Sequence, residues 1–282
     1  MTAAAIAGSP VLAQAGELKS VLGEVSASGP PGKRALKQGS RVVAGDRVEV
    51  GGGGNAQIEF TEATRLVAGG AAVLTVATLD VNVAPGRTKT LELDALDGVF
   101  RFMSDETGEK NFKIRAPSAT IELSGTALEL AVTPGGAWTL LLDGRIKMCG
   151  TAEGAECKTA TRRCTMLRTL DAKTIEVVPG SPEAPIKDDG EGTAGGGASY
   201  AQEIEAHFPY QKAQSDLLEE FQLAGEPCEE ERVGGLGDFA LDGSQVRHGK
   251  AIRIGVMSAL GAGIACILLC GKTSTTSTNK TN

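Results

Sequence analysis

Residues 121–130 read IELSGTALEL. Ile121 and Leu123 put apolar side chains at odd positions, with Glu122 and Ser124 between them. Beyond Gly125 the apolar set moves to even positions, Leu128, Leu130 and Val132. Side chains of a strand alternate between two faces with a period of two, so a change of phase inside one run requires an extra residue. Glycine tolerates the positive φ that a bulge demands. The stretch predicts a strand with a bulge or kink at Gly125, so that all five apolar residues face one core. The Thr126 hydroxyl is expected to bond to main chain there.

The same texture runs through residues 17–178. In GGGGNAQIEF (51–60), Ala56, Ile58 and Phe60 fall on one face and Gln57 and Glu59 on the other. RVVAGDRVEV (41–50) is broken at Gly45-Asp46, and TRLV is separated from AVLTV by Ala68-Gly69-Gly70. KTLELDALDGVFRF carries Leu91, Leu93 and Leu96 ahead of Asp97-Gly98, then Val99, Phe100 and Phe102. In WTLLLDGRIKM an Asp-Gly pair between two apolar runs predicts a hairpin. Gly51 to Gly54 lies between two strands and lacks the Lys and Ser/Thr of a phosphate-binding loop, so it too reads as a hairpin loop. Turn signals recur at a spacing of about 10 residues, which predicts an all-β domain.

The 282-residue chain carries a net charge of −7. The acidity is concentrated: residues 183–232 hold 13 Asp/Glu against 3 Lys/Arg, a local net charge of −10, and the remainder is near +3. No part is basic enough to support nucleic-acid binding. Aromatic residues make up only 4% and glycine is abundant, at 38 residues, a composition suited to short strands and tight turns.

Ala3 to Ala13 is a short apolar run, and Ala13-Gln14-Ala15 fits a signal-peptidase site with cleavage after Ala15, although no basic residue precedes the run. Export would place the six cysteines in an oxidising compartment. No C-x-x-C pair occurs, so no zinc ribbon or thioredoxin-type site is indicated. Cys149 and Cys157 flank a glycine-containing loop and can close a hairpin, with Cys164 as the competing partner and Cys228 standing alone. After the Pro/Gly-rich acidic stretch 179–198, Ser199 and Gln202 fit a capping box. Pro209 is expected to divide the helix, and Ala213, Leu217, Leu218 and Phe221 to form the apolar stripe of a second one. Ile254 to Cys270 is 17 residues without a charge, at the lower length limit for crossing a bilayer. The Arg and Lys residues that flank its N-terminal side would orient that side to the cytoplasm, against export of the β region.

Catalytic signals are weak. The only histidines, His207 and His248, lie outside the β region, so a Ser/His/Asp arrangement has no base there. Glu203 and His207 stand at i and i+4, a metal-binding spacing, but no third ligand is in sight and a solvated helix face is expected. No cofactor is expected.

The order of motifs resembles the FecR domain family. GEVSAS, ALKQGSRVVAGDRVEVGGGGNAQIEF and LDALDGVFRF are similar to its opening and middle segments. FKIRAPSATIELSGTALELAV is similar to its core signature, and WTLLLDGRIKM to a closing hairpin. The family resemblance covers about 17–178. It implies a solenoid-like stack of short, mostly antiparallel strands, exposed to the cell envelope. It marks Gly45, Asp46, Gly98, Pro117, Ser124, Gly125 and Thr126 as structural motif residues. Ser124 stands where the family usually has Arg, and Glu62-Ala63-Thr64 where it has Asp-Gly-Thr. In the best-known members the module is the periplasmic part of a sigma-factor regulator that senses an outer-membrane transporter. With only about 16 residues ahead of the domain, the cytoplasmic segment of that layout is not expected here.

The expected organisation is a signal peptide (1–15), a FecR-like β domain (17–178) and an acidic linker (179–198). An acidic helical region (199–248), an apolar candidate membrane segment (251–271) and a low-complexity tail (272–282) follow. The expected function is non-enzymatic: a periplasmic or cell-envelope module that binds another envelope protein or senses a signal. The alternatives are an anti-sigma-type transmembrane regulator and a structural or glycan-binding envelope protein.

Overall fold

The structure is a computed structural model that describes residues 15–81, 87–104, 110–184, 200–222 and 228. The described residues belong to one compact unit, within Met1–Glu229. It is all-β, followed by short helical turns. Fifteen strands run in chain order: β1 (Ala15–Leu22), β2 (Val25–Ser28), β3 (Arg34–Ala35), β4 (Arg41–Val43), β5 (Arg47–Val50), β6 (Asn55–Thr61), β7 (Thr64–Ala68), β8 (Val73–Asp80), β9 (Lys89–Ser104), β10 (Lys110–Ala116), β11 (Ala119–Thr133), β12 (Gly136–Gly150), β13 (Cys157–Ala160), β14 (Met166–Thr169) and β15 (Ile175–Val177). One helix, α1 (Tyr200–His207), follows. All pairings are antiparallel except β9 with β10.

The strands form one continuous hydrogen-bonded sheet that folds over on itself. The first layer runs β4-β1-β6-β7, then the second half of β9, the second half of β11, the first half of β12, β14 and β15. The second layer contains β3-β2-β5-β8, the first half of β9, β10, the first half of β11, the second half of β12 and β13. The chain passes back and forth between layers, which gives the stack its solenoid character. Phe102 of one layer meets Phe112 of the other edge to face, with centroids 6.3 Å apart. A single apolar core fills the space between, including Leu18, Ile58, Leu66, Leu74, Leu93, Ile114 and Leu130.

The three longest strands belong to both layers, and each changes phase where it bends. In β9 the inward residues are Leu91, Leu93 and Ala95, then Phe100 and Phe102. In β11 they are Ile121 and Leu123, then Leu128, Leu130 and Val132. In β12 they are Ala137 and Leu141, then Ile146 and Met148. The switch falls at Gly98 (φ +98°), Gly125 (φ +54°) and Gly144 (φ +80°), in the left-handed region that glycine enters without strain. Asp143-Gly144 was expected to turn a hairpin; the chain instead continues through it as one strand, from Gly136 to Gly150. Asp97-Gly98 likewise lies inside one continuous strand, β9. An Asp-Gly pair supplies the positive φ that a two-residue turn and a bulge both need, so the local signal is shared. The loop at 51–54 also departs from a hairpin, because β5 and β6 lie in different layers and do not pair. It is a corner of the solenoid.

Candidate functional site

The inner face of the first layer lies on the core, and its outer face is covered as well. A row of directly paired residues crosses that outer face from Gln57 through Val67, Arg101, Glu129 and Leu140 to Met166. Alternation puts these side chains opposite to Phe100, Phe102, Leu128 and Leu130, so solvent exposure would be the default. Instead Arg101 and Glu129 are fully buried, at 0% exposure each. Their cover is the segment 200–222, tied down at Cys228.

The cover differs from the expected pair of amphipathic helices. After α1, three short 3-10 turns follow, Pro209–Gln211, Gln214–Asp216 and Glu219–Phe221. Leu217 and Phe221 point into the sheet while Leu218 is exposed, so no helical stripe forms. Tyr200, Ile204, Phe208, Tyr210, Leu217 and Phe221 make a second apolar cluster with outer-face residues such as Val67, Leu140 and Leu142.

Polar contacts fix the register of the cover. Arg101 donates through Nη2 to Glu129 Oε1 at 2.6 Å and to the Tyr210 carbonyl at 2.8 Å. Its guanidinium lies 5.4 Å from the centre of the Tyr210 ring, within cation–π range. Gln211 donates to Glu129 Oε1 at 2.7 Å, and Gln214 accepts from Arg101 at 3.3 Å. Gln57 accepts from the Leu218 amide at 2.9 Å. Burial pushes the Glu129 carboxyl up from the usual carboxylate range, and this outweighs the Arg101 charge and the hydrogen bonds that pull it down. Burial also raises the Tyr210 hydroxyl.

The expected solvated face of α1 is turned inward. Glu203 accepts from Arg168 at 2.8 Å and pairs with His207 at 3.2 Å. The His207 ring stacks on Trp138, with centroids 4.1 Å apart and planes 19° apart. Burial lowers the His207 pKa, with the Arg168 charge in the same direction, against the opposing pull of Glu203. Among the described residues no group of three or more His, Cys, Asp or Glu is placed to hold a metal ion.

Among the described residues there are two disulfides. Cys149–Cys157 joins directly paired residues of β12 and β13. Cys164 bonds not to either of these but to Cys228, 64 residues on, which was expected to stand alone. This bond ties the end of the cover to the loop between β13 and β14. Tyr200 holds the other end, donating to the Cys164 carbonyl at 2.5 Å.

The structural motif residues lie elsewhere. At the β11 kink, the Ser124 amide donates to Thr126 Oγ1 at 2.9 Å, and that hydroxyl donates to the Arg145 carbonyl at 2.7 Å. Ser124 is the register partner of Arg145, whose side chain is exposed. Asp46 is fully buried, accepting from the Val43 amide at 2.8 Å and from both terminal nitrogens of Arg34; Gly45 forms the turn with φ +86°. Pro117 sits in the two-residue turn between β10 and β11, where Ala116 pairs with Ala119. The apolar stretch Ile254 to Cys270 and His248 lie outside the described residues. Among those described, no helix is long and apolar enough to cross a membrane.

Residues 46–147, from the buried Asp46 past the kinks of β9, β11 and β12, match the family model for FecR protein. The chain carries a FecR domain. Arg101 and Glu129 fall inside the match, and the cover falls outside it. The chain is also similar to two crystal structures of a candidate anti-sigma factor from Parabacteroides distasonis ATCC 8503, at 1.65 and 2.50 Å resolution. Identity is 12% and the TM-score 0.37 in both; the alignment covers 47% of this chain and 57% of the other, so the likeness spans little more than half of that protein. No curated protein matches the chain.

Proposed function

We propose that this chain is a non-enzymatic, exported module of the cell envelope that works by contact with another envelope protein, as a binding or signal-sensing unit. The observation that carries the reading is the FecR match over the kinked strands. Two disulfides are in keeping with an oxidising compartment such as the periplasm. In this reading residues 1–15 are a signal peptide, 17–178 the FecR-like domain, 179–198 the linker and 251–271 a membrane anchor. The exposed outer face of the second layer carries a ladder of alternating charge, Glu92, Lys113, Glu122 and Lys147, in direct register. Such a ladder favours a partner of complementary charge pattern, through orientation more than through raw affinity.

The test is fractionation of cells expressing the full chain, with N-terminal sequencing, thiol trapping and cross-linking to envelope proteins. A periplasmic chain that starts at Gly16, has Cys149, Cys157, Cys164 and Cys228 blocked and cross-links to an envelope protein supports the reading. A cytoplasmic chain with Met1 intact and all thiols free overturns it. Recovery of a sigma factor instead would transfer the chain to the regulator class.

A further inference from the structure

The two apolar clusters of this domain are built differently. The one between the layers packs apolar side chains with Thr139, whose hydroxyl donates to Met148 Sδ at 3.7 Å. The contact under the cover holds a buried ion pair, and three of its buried polar atoms have no hydrogen-bond partner in the protein: Glu129 Oε2, Trp138 Nε1 and Tyr210 Oη. Leaving such atoms dry costs free energy that water returns when the contact opens. Arg101 and Glu129 draw their remaining partners from the cover, which also buries them. Cys164, at the fastening point, holds φ +65°, a left-handed conformation that a cysteine keeps only where its surroundings impose it.

We propose that residues 200–222 form a releasable cover, fastened by the Cys164–Cys228 disulfide, and that reduction by a dithiol frees it from the outer face of the first layer. The chemistry is thiol–disulfide exchange. A thiolate of the dithiol attacks one sulfur of the pair, breaks the Cys164–Cys228 bond and forms a mixed disulfide. Its second thiolate then expels the cysteine. Two electrons pass from the dithiol, which leaves as its own disulfide, and Cys164 and Cys228 become thiols. Both are buried, at 1% exposure, so attack needs a partly lifted cover, and each lifting event that ends in reduction removes the tether. The Cys149–Cys157 bond plays no part. It links residues that the β12–β13 ladder already holds in register, and Cys157 is exposed.

The domain contains its own reporter. Trp138 is the only tryptophan of the chain and stacks on His207 of the cover. The full-length oxidised protein is titrated with dithiothreitol and followed by Trp138 emission, hydrogen exchange of 200–222 and far-ultraviolet circular dichroism, with thiol trapping to assign the reduced bond. The expected result is a red shift of emission and at least tenfold faster exchange in 200–222 as Cys164–Cys228 opens, with the β signal unchanged. A Cys149→Ser/Cys157→Ser variant should respond in the same way. Unchanged exchange after full reduction of Cys164–Cys228, or loss of the β signal together with the cover, overturns the proposal. Gly69→Ala gives a second arm that keeps both disulfides. A Cβ at Gly69 would lie 2.2 Å from Tyr210 Oη, so it unseats the ring without a backbone penalty at Gly69. Reduction of Cys164–Cys228 should then run several-fold faster than in the parent; an equal rate counts against a cover that must lift.

Discussion

Arg101 and Glu129 are direct cross-strand partners, 28 residues apart in sequence, and form a 2.6 Å ion pair with neither side chain exposed. Breaking one side of such a pair is more damaging than removing both. Arg101→Met is expected to lower stability by about 3 kcal/mol, because Glu129 stays buried without its partner. Arg101→Met/Glu129→Leu should recover most of that loss. Equilibrium urea denaturation measures both, and equal stabilities for the single and double variants would contradict the assignment.

Acid should loosen the cover through His207. Its pKa is lowered by burial from an ordinary value of 6.5, despite the nearby Glu203 carboxylate and in line with the Arg168 charge. The docked state therefore binds the proton more weakly than the undocked one. Stability from this contact is fully present above pH 6.5 and declines as pH falls through 6.5 toward the lowered value. Trp138 emission should report the transition, and His207→Gln should remove its component near that pH. A flat profile in the parent protein would refute the contribution.

The kink glycines should differ in tolerance. At Gly125 only the far end of Lys110 lies within 4 Å of an added Cβ, so the main cost is the left-handed φ. Asn, which accepts that region, should cost under roughly 1 kcal/mol, and Val about 2 kcal/mol. A Cβ on Gly144 would lie 1.7 Å from the Gly125 carbonyl oxygen. Gly144→Ala must displace main chain and should cost more than either. Thermal unfolding of the three variants checks the ranking.

Asp46 is a structural bracket, with its carboxylate shared between the Val43 amide and Arg34. Asp46→Ala leaves the Val43 amide unmatched and removes the Arg34 ion pair, while Arg34 keeps its bond to the Arg41 carbonyl, and is expected to cost about 2 kcal/mol. Asp46→Asn retains the acceptor for Val43 and should cost less. Equal losses would mean that the Val43 bond contributes nothing.

The all-β class and the changes of phase were legible in the sequence, because alternation survives on each side of a bend. What alternation cannot show is whether an Asp-Gly pair reverses the chain or only kinks it. That depends on the register with strands far away, as Asp143 and Gly144 demonstrate. The covered face also has a mark in the sequence. In TALELAV and TLLLD both alternating sets are apolar, Ala127, Ala131, Leu140 and Leu142 included, which marks strands buried on both sides. Arg101 and Glu129 masked it, since a single charge between hydrophobes looks like the wet face of a strand. The cover was visible as a Leu217/Phe221 spacing, but the same spacing serves a helix and a string of 3-10 turns.

Three strands that run through both layers leave the domain without a seam. Tension applied to one layer passes along covalent backbone into the other, through Gly98, Gly125 and Gly144, rather than across side-chain contacts alone. A module pulled between two partners would therefore resist as one body, and the first part to yield would be the cover, whose grip on the sheet is side chains and a single sulfur bond.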